Sequence, residues 1–124
     1  MSKTASDIVD FAASAARRED FRPDADRLVA GDPRQSVWNH YDDPSGQFSA
    51  GVWEGEPGKW RVSYTEDEFC HLLEGRVVLT DEAGKSRSFG PGAAFVVPAG
   101  FRGTWETVEK ARKLYVIFER KAPA

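Results

Sequence analysis

From residue 36 onward the chain alternates apolar and polar positions in short bursts, separated by turn residues. The bursts fall at 36–41, 47–54, 59–65, 68–73, 76–81, 86–89, 93–97, 103–108 and 112–120, and they are rich in Val, Phe, Tyr and Trp. A period of two in segments of this length predicts β-strands with one face inward. Between them stand turns such as Pro44-Ser45-Gly46, Glu56-Pro57-Gly58, Glu82-Ala83-Gly84 and Gly90-Pro91-Gly92, whose glycines and prolines favour reversals. The start differs. Ile8, Phe11, Ala12, Ala15 and Ala16 recur at three- and four-residue steps between Thr4 and Asp20. That spacing predicts a short amphipathic helix, with Ser6 as its cap. Residues 21–35 hold Pro23, Pro33 and a Gly31-Asp32-Pro33 turn, so they read as a connector lying on the surface. The expected organisation is an N-terminal helix and connector over 1–35 and a barrel domain over 36–124. Many short, evenly spaced strands favour an all-β sandwich, jelly roll or closed barrel over a parallel α/β sheet.

Composition narrows the functional classes. At 124 residues, with eight Phe, four Trp and three Tyr, the chain can build one compact core but not two ordinary domains. Its 17 basic and 20 acidic residues give a net charge of -3. No stretch concentrates Lys and Arg enough to neutralise a run of phosphates, so no nucleic-acid partner is expected. The apolar run from Ala93 to Val97 is far short of the ~20 residues a membrane helix needs, so no membrane partner is expected either. No secretory leader is legible at the start, and the single Cys70 has no internal disulfide partner. Both features point to a cytoplasmic location.

Two spaced motifs make the architecture specific. Glu68-Phe69-Cys70-His71-Leu72-Leu73-Glu74-Gly75 places six residues between a glutamate and a glycine, and five residues separate Gly92 from Pro98-Ala99-Gly100. These resemble the two signature motifs of the cupin superfamily, which implies a double-stranded β-helix, or jelly-roll barrel. The first motif also implies two histidines ahead of the glutamate, and the second implies another three residues after its last glycine. Here those positions hold Val62 and Tyr64 (or Arg61 and Ser63) and Gly103. One carboxylate is short of the roughly three protein ligands a transition metal needs. The wider string, through Val52-Trp53-Glu54-Gly55, Tyr64-Thr65-Glu66-Asp67-Glu68 and Pro98 to Glu106, resembles a single-domain cupin subfamily described after the ureidoglycine aminohydrolase cupin domain. That resemblance implies a metal-dependent hydrolase as one functional reading.

Strand parity supplies the candidate site. With Glu68 inward, Cys70 and Leu72 share its side, and Trp60, Val62 and Tyr64 share the inner face of the preceding strand. Gly103, Trp105 and Thr107 join them. Glu68, with no evident metal or arginine partner in the sequence, is suited to general acid or base work and is the candidate catalytic group. Trp60, Tyr64, Cys70 and Trp105 are the candidate ligand-binding residues. Should a divalent transition metal bind, Glu68 and His40 are its candidate ligands. Cys70 can also be a small apolar filler, and His71, one position on, points to the opposite face. The first functional reading is therefore binding of a small polar metabolite inside the barrel, with acid-base turnover through Glu68. The metal-dependent hydrolase is the second reading, and a non-catalytic scaffold barrel the third. A homodimer is expected, to cover long edge strands.

Overall fold

The computed structural model describes residues 2–121. Nine strands follow one another: β1 (Arg18–Phe21), β2 (Leu28–Gly31), β3 (Gln35–Asp42), β4 (Phe48–Gly55), β5 (Gly58–Ser63), β6 (Asp67–Asp81), β7 (Ser86–Phe89), β8 (Ala94–Val97) and β9 (Arg102–Phe118). All the pairings are antiparallel. Two long strands organise them. The C-terminal half of β9 lies between β4 and the first half of β6, whose other edge takes β8. The N-terminal half of β9 lies between β5 and the second half of β6, whose other edge takes β7. The outer strands β1 and β3 extend the first layer, and β2 extends the second. One continuous sheet thus curls into two facing layers, the jelly-roll arrangement that the alternating sequence predicts.

The crossing from layer to layer has a local cause. In β6, Glu68, Cys70 and Leu72 point inward, but beyond the crossing the inward residues are Val77 and Leu79. Register shifts between Leu72 and Val77 produce this change of parity. Gly75 sits at the bend with φ +84°, and a Cβ there would press against the Ala111 backbone and the Glu109 carbonyl. Only glycine combines that conformation with that approach. The sequence pattern broke β6 into 68–73 and 76–81, and β9 into 103–108 and 112–120. The structure joins each pair, because the ladder resumes across the bend.

Between the layers Trp53, Cys70, Leu72, Val77, Leu79, Val97, Trp105, Ala111 and Tyr115 form one buried cluster. Each fully buried Leu or Val of this kind contributes about 1.5–3 kcal/mol.

The N-terminal expectation is corrected. In place of a helix over 4–20 there is a single 3₁₀ turn, Ala5–Asp7, capped by Thr4 rather than Ser6, with Thr4 and Asp7 exchanging hydrogen bonds. Asp10 then closes its own turn by accepting the Ala12 N–H, which competes with helix continuation. Ile8 is 76% exposed and Ala12 and Ala15 are exposed with it, while Phe11 stacks on the His40 ring, so most of the helical stripe covers no apolar surface. The connector expectation is corrected too. Arg18–Phe21 and Leu28–Gly31 are strands that pair with β3 and β5, and Asp20 accepts a 2.7 Å hydrogen bond from the Ser36 hydroxyl. The outermost strands β1, β2, β7 and β8 have four residues each, so the edges are short rather than long. No helix among the described residues is long and apolar enough to cross a membrane.

Candidate functional site

Alternation along six strands, β1, β3, β4, β5, β6 and β9, brings inward side chains to one cavity of about 390 Å³ between the layers. β3 contributes Gln35, Val37 and Asn39, β5 contributes Trp60 and Val62, and Glu68 enters from β6. β9 contributes Trp105, Lys113 and Tyr115, and Tyr64 follows β5. Glu68, Trp60, Tyr64 and Trp105 therefore do share a hollow. Trp60 and Trp105 lie with ring centroids 6.3 Å apart, and Trp53 meets Trp105 edge to face at 5.7 Å.

The polar groups of the cavity are tied to one another. Tyr64 donates its hydroxyl to Glu68 Oε1 at 3.2 Å. Lys113 Nζ lies 3.0 Å from Glu68 Oε2, with the lysine 4% and the glutamate 6% exposed. The same ammonium stands 4.2 Å from the Trp105 ring centroid and 4.7 Å from that of Trp53, so two π faces help to solvate it. Tyr115 donates to Asn39 Oδ1 at 2.7 Å, and Trp53 Nε1 donates to Gln35 Oε1 at 2.9 Å. The premise that Glu68 stands without a cationic partner is thus overturned.

Burial by itself would make the Lys113 ammonium release its proton more readily. That is the largest single influence, but the charge and hydrogen bond of Glu68, with Cys70 beside it, together outweigh it and hold the pKa above the ordinary lysine value. Burial, with the charge of Glu68 behind it, raises the Tyr64 phenol well above its usual range.

Lys113 is the charged cavity residue that the strand pattern does not single out. Ala111, Lys113, Tyr115 and Ile117 form the inward parity of β9, which is a legible signal. It was masked because Leu114 and Val116, on the other face, are equally apolar. Cys70 has the predicted inward direction but lies behind the wall, fully buried and not lining the cavity. Burial pushes its thiol from 9.0 up to about 12, which disfavours the thiolate a nucleophile needs. His71, opposite in direction, offers it no base.

The residue set does not fit a transition-metal centre. Both Glu68 oxygens already have partners, Tyr64 and Lys113. His40 sits outside the cavity: Val37 and Asn39 face inward from β3, while the His40 imidazole stacks on Phe11 at 4.4 Å. A Cβ on Gly103 would drive into the Thr80 carbonyl oxygen, so the histidine position of the second motif has no room for any side chain. Among the described residues no three His, Cys, Asp or Glu come together in a way that could hold a metal ion.

The cavity opens outward through a vestibule of about 360 Å³ that shares Phe21, Trp60, Tyr64 and Glu68 with it. The β1–β2 connector supplies Arg22, Asp24 and Arg27 to this rim, and β5 supplies Arg61. Arg22 is fixed by Asp32 at 2.8 Å, and Arg61 donates to the Asp26 carbonyl at 3.1 Å.

Comparison with known proteins agrees with this architecture. Residues 42–115 match the EutQ-like cupin domain. No curated protein matches the sequence. Among solved structures, a protein of unknown function from Pseudomonas syringae, of the DUF861 family, superposes with a TM-score of 0.74 at 25% identity over 85% of this chain. This chain spans 45% of that protein's length. The Clostridium difficile EutQ protein superposes with a TM-score of 0.63 at 19% identity, over 80% of both chains. A putative ethanolamine utilization protein, EutQ of Salmonella typhimurium, gives 0.62 at 20% identity over 70% of this chain and 71% of that one. The last two speak for the fold alone. With the signature spacings, the curled two-layer sheet and a match across more than half its length, this chain belongs to the EutQ-like cupin family.

Proposed function

We propose that the cavity binds a small polar metabolite, with the Glu68–Lys113 pair facing it as the group that orients its polar atoms. Acid-base turnover through Glu68 is the further step this reading allows once a ligand displaces Lys113 or Tyr64 from the carboxylate. The observation that carries this reading is the Glu68–Lys113 pair, buried at the wall of an open cavity. A buried ion pair is a poor way to stabilise a core, since well-packed apolar residues of similar volume do as well or better. Its retention beside Tyr64, Asn39 and Tyr115 suits a site that must orient polar atoms of a ligand. Trp60 and Trp105 supply the apolar wall. With Arg22 paired to Asp32, the rim sets Arg27 and Arg61 against Asp24 and Glu66, a balance of charge that suits a zwitterionic visitor. The vestibule also speaks against a closed, non-catalytic scaffold, because Trp60, Trp105 and Tyr64 leave the hollow accessible.

The test is a thermal-shift screen of small hydroxy acids, amino acids and ureido compounds, with any hit titrated into wild type, Glu68→Gln and Lys113→Met. Weakening by about ten-fold or more in both variants is expected for charge-assisted contacts. Unchanged affinity in Glu68→Gln removes the assignment.

A further inference from the structure

Beside β7 and β8 the barrel has a second opening, a cleft of about 740 Å³ that shares no lining residue with the cavity. Both strands pair only with β6, so the two layers end here in facing edges. The bed of the cleft is apolar: Leu79, Val97 and Phe101 lie against the Phe89 and Phe95 rings, which stack at 3.9 Å and 14°. One residue breaks the pattern. Arg87 stands directly opposite Leu79 in the ladder, and Leu79 belongs to the buried core. Residues paired across an antiparallel ladder share a face, so Arg87 projects to the cleft side of β7, where its side chain stands exposed at the mouth above the apolar bed. Its guanidinium lies 5.5 Å from the Phe89 ring centroid.

The contrast with Lys113 is informative. That cation is buried and paired with Glu68, whereas Arg87 is exposed at the cleft mouth and among the described residues forms no salt bridge, so its guanidinium is free to meet an incoming anion. The carboxylate of the cleft, Asp81, uses Oδ1 to close its own turn, accepting the Ala83 and Lys85 N–H groups at 2.9 and 3.0 Å, and its single charge is set against the two cations Lys85 and Arg87. Lys85 adds a second cation at the rim.

We infer that this cleft is a second ligand site, for a carboxylate carrying an apolar body: the body lies on Phe95, Phe101 and Val97, and the carboxylate meets the fork of Arg87. A guanidinium binds a carboxylate through two parallel N–H···O bonds, and the aromatic bed accepts the remainder of the molecule without requiring hydrogen bonds from it.

A matched probe series tests this: 4-phenylbutyrate, 4-phenylbutanol and 4-phenylbutylamine, titrated by calorimetry and by backbone amide shifts. The acid is expected to bind with shifts centred on Phe89, Phe95 and Val97, with the alcohol and amine weaker by about ten-fold or more, the scale of a charge-assisted contact. Arg87→Gln should reduce the acid to the level of the alcohol and leave the alcohol unchanged, while Arg87→Lys retains part of the preference. Glu68→Gln should bind the acid like wild type, which separates this site from the metabolite cavity. Equal binding of acid and alcohol, an unaffected Arg87→Gln protein of normal thermal midpoint, shifts centred on Trp60 and Tyr64, or no saturable binding up to millimolar acid would each overturn the inference.

Discussion

At the scale of single residues, the molecule is most unusual where charge is buried. Lys113 and Glu68 satisfy each other across 3.0 Å inside an aromatic enclosure. Removing one partner leaves the other charged and out of water, which costs about 3–5 kcal/mol, while replacing both by apolar residues of similar volume is often neutral or stabilising. Urea unfolding of Glu68→Leu, Lys113→Met and the double variant should therefore be strongly non-additive, with both single variants less stable than the double. Additive losses would mean that the pair is not the unit described here. The same contrast explains how much of the site was readable. Glu68 and its aromatic companions converge as parity requires, because a strand alternates whatever lies around it. The partner of Glu68 was not readable, because it arrives from a strand 45 positions later in sequence and its neighbours are apolar on both faces.

At the scale of elements, close approach of strands decides what the motif can hold. Gly103 lies in β9 between Val62 of β5 and Asp81 of β6, and a Cβ there meets the Thr80 carbonyl. Gly103→Ala should lose more than about 2 kcal/mol, as overpacking against backbone does, measured as a fall in the denaturant midpoint. Gly103→His should fare worse. Wild-type stability in Gly103→Ala would show that the two strands can separate freely. Restoring histidines at the positions where related barrels carry them thus requires moving β6, not only changing side chains. The N-terminal segment shows the reverse situation. Its helical spacing was real, but a periodic stripe becomes a helix only when there is a surface for it to cover, and residues 18–21 had a better use as a partner for β3.

At the scale of the whole molecule, two properties are testable. Cys70, Tyr64, Tyr115 and Lys113 all hold their protons more tightly in the folded chain than in the unfolded one. Above the ordinary thiol value of 9.0 the unfolded chain releases protons that the folded chain keeps. The stability from these groups is therefore complete below about pH 9 and is lost as pH rises through the folded values. Urea unfolding from pH 8 to 11 should show this decline. Cys70→Ala should delay its onset to the tyrosine and lysine range, and a flat profile in wild type contradicts the burial argument. The outer face of the first layer offers a basis for the expected homodimer. Val96, Phe69 and Val116 stand side by side across β8, β6 and β9, with Val96 60% and Phe69 41% exposed. A contiguous apolar row is suited to a two-fold contact with a second copy. Light scattering should give a dimer that Val96→Asp converts to a monomer. A monomeric wild type removes the dimer.

The sequence by itself determined the all-β class, the positions of seven strands, the cupin spacing and the inward direction of Glu68, Trp60 and Trp105. These depend on local alternation and on glycine and proline at turns, which act over a few residues. Only the tertiary structure decided that no helix forms over 4–20 and that 18–21 and 28–31 are strands, that Lys113 meets Glu68, that His40 turns away and that Arg87 faces an open cleft. Each of these depends on which distant strand lies alongside. Such pairing is a competition among surfaces of the whole chain, and the pattern of any one segment does not contain it.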